Sequence, residues 1–215
     1  GAAATYQSTD TVADLTTADS DTFTITGDAN VAFGTVSNIE AVAVNLGKQN
    51  GATPLTLSNV EKVTNSAITV TLDKTVEVAG VDVPGEQSLI LTGALSSSTL
   101  STVNVKDAVA VVGGGAATIT GDASLAALTL TGVDANDTTI ILANNDSDVN
   151  LDGTTGTNDA ASVTGIGKVA LDLETSADDD TEVEVVTLAG AGGAVTFTVT
   201  NADAANTKYT TAGDQ

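Results

Sequence analysis

Thr35-Val-Ser-Asn-Ile-Glu-Ala-Val-Ala-Val-Asn-Leu46 and Ser162-Val-Thr-Gly-Ile-Gly-Lys-Val-Ala-Leu-Asp-Leu173 agree in polar or apolar class at almost every position. Thr56-Leu-Ser-Asn-Val-Glu-Lys-Val63 repeats the first half of this pattern, and Thr99-Leu-Ser-Thr-Val-Asn-Val105 repeats it more loosely. The copies start at 35, 56, 99 and 162, so the intervals of 21, 43 and 63 residues lie close to one, two and three times 21. The hexamer Thr-Ile-Thr-Gly-Asp-Ala occurs at Thr24 and again at Thr118; its 94-residue separation is not a multiple of 21 and predicts insertions that break the register. Each unit alternates apolar and polar residues before a Gly, Asn, Asp or Ser, as in Ile68-Thr-Val-Thr-Leu72 and Val195-Thr-Phe-Thr-Val199. A period of two is the signature of a half-buried strand, and β units repeating every twenty-odd residues form a solenoid. The expected fold is therefore all-β, a parallel β-helix-like solenoid with coils of roughly 21 residues. One or two antiparallel β-sandwich domains, whose strands also recur between turn signals, are the alternative.

Composition points the same way. The 215 residues include no Trp, Met or Cys, three Phe and two Tyr, while 41% are hydrophobic. Burial must come from Val, Leu, Ile and Ala in many thin layers, and β-branched residues favour a pleated surface. No segment has a sustained helical period, although Val12-Ala-Asp-Leu15 could close a single turn. With prolines at 54 and 84 alone and no long Pro/Gly/Ser linker, one domain over residues 20–215 is expected, preceded by a loosely packed segment, 1–19. Gly1 in place of Met fits a processed chain or an excised fragment.

Charge restricts partners. Twenty-eight acids face six lysines and no arginine, a net charge of −22. Phosphate backbones need Lys or Arg, so nucleic acid is not an expected partner. Anionic membrane surfaces repel such a chain, and no apolar run is long enough to insert as a helix. Catalysis is not expected either: the chain has no His or Cys, and it lacks the Arg and Trp of clefts that cleave acidic polysaccharides. Gly113-Gly-Gly115 follows a strand-like run, but no Gly-Lys-Ser/Thr follows it, so it reads as a turn and not a phosphate loop.

Asp21-Thr-Phe-Thr-Ile-Thr-Gly-Asp28 and Val36-Ser-Asn-Ile-Glu-Ala-Val-Ala-Val-Asn-Leu46 resemble the β-strand repeats of bacterial surface-layer proteins and large secreted adhesins. The resemblance implies export, assembly into a lattice or fibre on the cell exterior, and use of calcium. The chain departs from the calcium-binding nonapeptide repeat, because Gly113-Gly-Gly-Ala-Ala-Thr and Gly190-Ala-Gly-Gly-Ala lack its aspartates.

Calcium, if used, is then expected at irregular acidic sites. Asp148, Asn150 and Asp152 precede Gly153 with the spacing of the first half of a calcium loop, whose twelfth position is Asp159. Val149 and Leu151 alternate with these oxygens, so an extended backbone would instead set Asp146, Asp148, Asn150 and Asp152 along one outer face. That ladder is the preferred reading, with a cation shared between subunits as one of its uses. Asp178, Asp179 and Asp180, flanked by Glu174, Glu182 and Glu184, form the densest acidic run and a second candidate cation site. The function expected from these features is a structural, self-assembling subunit of an extracellular surface layer or filament at the cell surface, its acidic faces bridged by calcium. A monomeric calcium-dependent adhesin or carbohydrate-binding module, with a cell-surface polysaccharide as partner, is the alternative.

Overall fold

A computed structural model of the chain describes residues 6–16, 19–47, 53–64, 66–73, 75–78, 81–84, 87–95, 98–113, 116–134, 138–154, 159–173, 183–191, 194–200 and 208–212. In chain order the strands begin β1 (Thr11–Ala13), β2 (Thr22–Gly27), β3 (Val31–Ala32), β4 (Thr35–Ser37), β5 (Ala41–Leu46), β6 (Leu55–Ser58), β7 (Val63–Thr64) and β8 (Ala67–Leu72). They continue with β9 (Thr75–Val78), β10 (Val81–Pro84), β11 (Ser88–Ala94), β12 (Thr99–Val103), β13 (Asp107–Val111), β14 (Thr118–Gly121) and β15 (Ala127–Val133). The last are β16 (Thr138–Leu142), β17 (Asp146–Gly153), β18 (Ala160–Gly165), β19 (Lys168–Asp172), β20 (Val185–Gly190), β21 (Thr196–Thr200) and β22 (Lys208–Ala212). Among the described residues there is no α-helix; a 3-10 turn at Val60–Lys62 is the one helical element. None of the described residues form a helix long and apolar enough to cross a membrane.

The strands alternate between two long parallel sheets. The first sheet runs β2-β5-β8-β12-β14-β16-β18-β20-β22 and the second β3-β6-β11-β13-β15-β17-β19-β21. Each coil therefore lays one strand on each sheet, and the stack is a β-solenoid of about seven turns with coils of about 23 residues. The sandwich alternative fails on strand direction, since both long sheets are parallel throughout.

Coil length varies with position. In the first sheet Ala67 stands beside Thr99, a step of 32 residues, because the antiparallel hairpin β9–β10 is inserted within that coil. Thr99, Thr118, Thr139 and Ser162 then follow in register at steps of 19, 21 and 23 residues, which average the expected 21. The copies at Thr35 and Thr56 are related otherwise. Thr35 lies on β4 and Thr56 on β6, and β4 belongs to a short third sheet, β1-β4-β7, at the N-terminal end. What those two copies share is a strand followed by a left-handed Asn, Asn38 at φ 56° and Asn59 at φ 60°. Asn tolerates this region better than most residues because its short amide bonds locally. Here the amides of Asn38, Asn59 and Asn104 reach the coil beneath, donating to the carbonyls of Asp14, Phe33 and Leu72. The repeat legible in the sequence is thus the corner as much as the coil. The hexamer copies differ likewise: Thr22, and not Thr24, shares a column with Thr118, so the second copy is slid by two residues along its strand, which preserves which side chains face inward.

Inward residues stack in apolar columns. On the first sheet Val42, Ile68, Leu100, Ile119, Ile140, Val163 and Leu188 are in register; on the second Leu55, Leu89, Ala108, Leu128, Val149 and Leu171 are. All are buried. Burying such side chains stabilises by roughly 1.5–3 kcal/mol each, which lets small aliphatic layers replace aromatic anchors. Val12–Leu15 does not close a helical turn: Thr11, Val12 and Ala13 pair in parallel with Thr35, Val36 and Ser37, because the edge of β4 satisfies their backbone groups. These residues fall in the segment expected to be loose, and Tyr6 in the same segment sets its ring 5.0 Å from that of Phe23.

Candidate functional site

The stretch Asn144–Gly153 is a corner followed by a strand. The Asn144 amide donates to the Ala123 carbonyl one coil below, and its Oδ1 accepts from the Asp146 amide. From there β17 alternates: Ser147, Val149, Leu151 and Gly153 point inward and are buried, while Asp146, Asp148, Asn150 and Asp152 face out. Successive outward residues of a strand lie about 6.6 Å apart, so these oxygens form a ladder and do not close around one ion. The calcium-loop geometry therefore does not form here, because pairing with β15 and β19 on both sides holds the backbone extended.

The ladder sits among further charges. Asp146 stands beside Lys168, Asn150 beside Asp172, and Asp107 lies two coils below Asp148 in the same column. Asn150 donates weakly to Thr129 Oγ1, at 3.4 Å. Asp152 differs from the other members, since its Oδ1 is buried with no hydrogen-bond partner among the described residues. Asp159 is not part of the ladder. It is 2% exposed, accepts from the Thr154 amide at 2.6 Å and from Thr154 Oγ1, while its own amide donates to Glu184 Oε2 at 2.7 Å. Its carboxylate staples the corner between β17 and β18. Asp178, Asp179 and Asp180 lie outside the described residues.

A different acidic group converges where sequence reasoning placed none. Carboxylate oxygens of Asp14, Asp19 and Asp21 all lie within 4.8 Å of one another. Thr16 organises them: its amide and hydroxyl donate to Asp14 Oδ2, and the same hydroxyl lies 3.0 Å from Asp19 Oδ1. The hydrogen bond from the Thr16 hydroxyl, then the amides of Thr16 and Leu15, hold the Asp14 carboxyl below the usual range. The negative charge of Asp19, followed by desolvation and the charges of Asp14 and Glu40, pushes Asp21 up. Three carboxylates and a hydroxyl are hard oxygen donors of the type calcium takes, though fewer than the six to eight it prefers. The signal in the sequence is three Asp within eight residues, in a segment whose composition reads as loose.

The two outer faces differ in charge. The second sheet presents Asp107, Asp146, Asp148, Asp152, Lys168 and Asp172. The outward positions of the first sheet from β2 to β20 carry no charged residue: they are Thr, Ser, Ala, Val, Ile and one Asn. A cavity of about 270 Å³ lies at the N-terminal end, lined by Tyr6, Phe23 and the chain from Thr24 to Ala32. Compared with family models, curated proteins and solved structures, the chain matches none.

Proposed function

We propose that the chain is a structural module of an extracellular surface layer or filament, assembling with further copies of itself through divalent cations. The observation that carries this reading is the carboxylate ladder on β17. Oxygens set in line on a flat face cannot complete a calcium shell from within one strand, but they can contribute half of one to a facing copy. A net charge of −22 opposes self-association until cations neutralise it, which makes assembly conditional on calcium. The sequence also lacks the usual nucleophile–base pairs, consistent with a non-enzymatic role. Electron microscopy of the purified chain with calcium and with excess EDTA tests the reading: ordered assemblies should form in the first and dissolve in the second. Assemblies indifferent to EDTA, or a chain that stays monomeric at millimolar calcium, would refute cation-bridged assembly.

A second reading, a monomeric adhesin or carbohydrate-binding module, draws support from the N-terminal cavity and its edge-to-face Tyr6–Phe23 pair. An oligosaccharide that protects the Tyr6 ring in NMR spectra would favour it.

A further inference from the structure

We propose that the outer face of the first sheet binds ice. Three observations carry this, and none involves the acidic face. First, hydroxyls recur in register: Thr99, Thr118, Thr139, Ser162, Thr187 and Thr210 occupy one column over six successive coils. A second column two residues along holds Thr69, Ser101, Thr120 and Thr164, interrupted by Ile141. Neighbouring strands are about 4.8 Å apart and alternate residues about 6.6 Å apart, so the columns form a rectangular grid. Oxygen rows on the faces of hexagonal ice repeat at spacings close to both.

Second, the grid is regular. The pairings of the first sheet from β2 to β22 run without a register shift. The second sheet has breaks between Ile90 and Ala94 and between Thr131 and Val133. A bulge adds local twist, so the hydroxyl face is the one that stays in lattice order. Threonine suits such a grid because its branched β-carbon restricts χ1, which fixes the hydroxyl and methyl positions from coil to coil.

Third, from β2 to β20 the outward positions carry no charged residue on a chain with 28 acids; Lys208, beside Val185, is a charged position at the β22 edge. A strongly hydrated carboxylate or ammonium would hold water in a shell that cannot join a crystal. Other occupants fit less well. Protein interfaces are enriched in Tyr, Trp, Phe, Met and Arg, none of which lies on these columns. Anionic ligands find no cation on the strands from β2 to β20. What the face offers is hydroxyls flanked by methyls at fixed spacing, which orders water into the arrangement of the solid.

Growth of single ice crystals in a solution of the full chain tests the proposal. The wild type should facet the crystals and hold a gap between melting and freezing points. Thr139→Lys, which sets a long charged side chain at the centre of the grid, should abolish that gap while the circular dichroism and Tm stay near wild type. Asp148→Lys, on the opposite face, should leave it intact. Round, unfaceted crystals in the wild type, or equal activity in Thr139→Lys, would overturn the proposal. So would a monomer–dimer equilibrium that Thr139→Lys alone disrupts and that appears without ice activity, which would assign the face to a second copy. Because neither variant needs calcium, failure here leaves the cation-bridged assembly to be judged by its own experiment.

Discussion

The two outer faces of the solenoid share one construction and carry opposite surfaces. Both are parallel ladders whose inward residues are stacked Val, Leu and Ile. Outward, the first sheet shows uncharged hydroxyl columns, and the second shows the carboxylates of β13, β17 and β19. The difference teaches that strand alternation separates the two jobs: period two lets the inner column satisfy the core while the outer column varies freely. Stability should therefore reside inside and interactions outside.

The largest test of that division compares neighbours on β17. Leu151→Ala removes a buried side chain from between two coils and should cost about 2–5 kcal/mol in denaturant unfolding. Asp148→Ala should change stability far less, and equal losses would erase the distinction between inside and outside. Next come the irregular backbone positions, the β15 bulge and the left-handed corners. Gly132 has φ +73°, and an added Cβ would lie 2.6 Å from the Val112 carbonyl oxygen, so Gly132→Ala should destabilise by about 1–3 kcal/mol. Asn104→Ala loses both the left-handed preference and the bond to Leu72, for about 1–2 kcal/mol. Asn104→Gly restores the conformation alone and should recover part of that loss.

The smallest expected effects lie among exposed acids. Asp148→Asn on the charged face should raise Tm slightly at low salt, and the gain should fade as salt screens the repulsion. In the N-terminal triad the two shifts act oppositely on stability. Asp14, held low by Thr16, adds stability at pH values above its unfolded pKa, and this is lost as pH falls through its folded value. Asp21, pushed up by Asp19, favours the fold while protonated; that contribution is lost as pH rises from the unfolded value through the folded one. Carboxyl NMR titration should show Asp21 protonating before Asp14 on acidification, with Asp19→Asn moving Asp21 down. A coincident titration of the two would contradict the convergence of the triad.

Strand alternation and the kind of core are both legible in the amino-acid sequence. Alternation in Ile68-Thr-Val-Thr-Leu72 marks a strand because side chains leave a strand on opposite faces whatever it pairs with. The same rule shows Asp146, Asp148, Asn150 and Asp152 to be a ladder on one face. Composition, too, set the kind of core, since a chain with five aromatic residues must stack aliphatic layers. Only tertiary structure decided which outward residues share a column, because register between coils depends on insertions such as the β9–β10 hairpin that periodicity does not report. It also made Asp159, which its spacing placed at the twelfth position of a calcium loop, a buried staple on Thr154. It brought Asp14, Asp19 and Asp21 together around Thr16, and it left the outward positions of the first sheet from β2 to β20 without charge. Alternation is local and survives in the one-dimensional sequence; neighbours across a parallel coil are about twenty or more residues apart, and chain folding alone selects them.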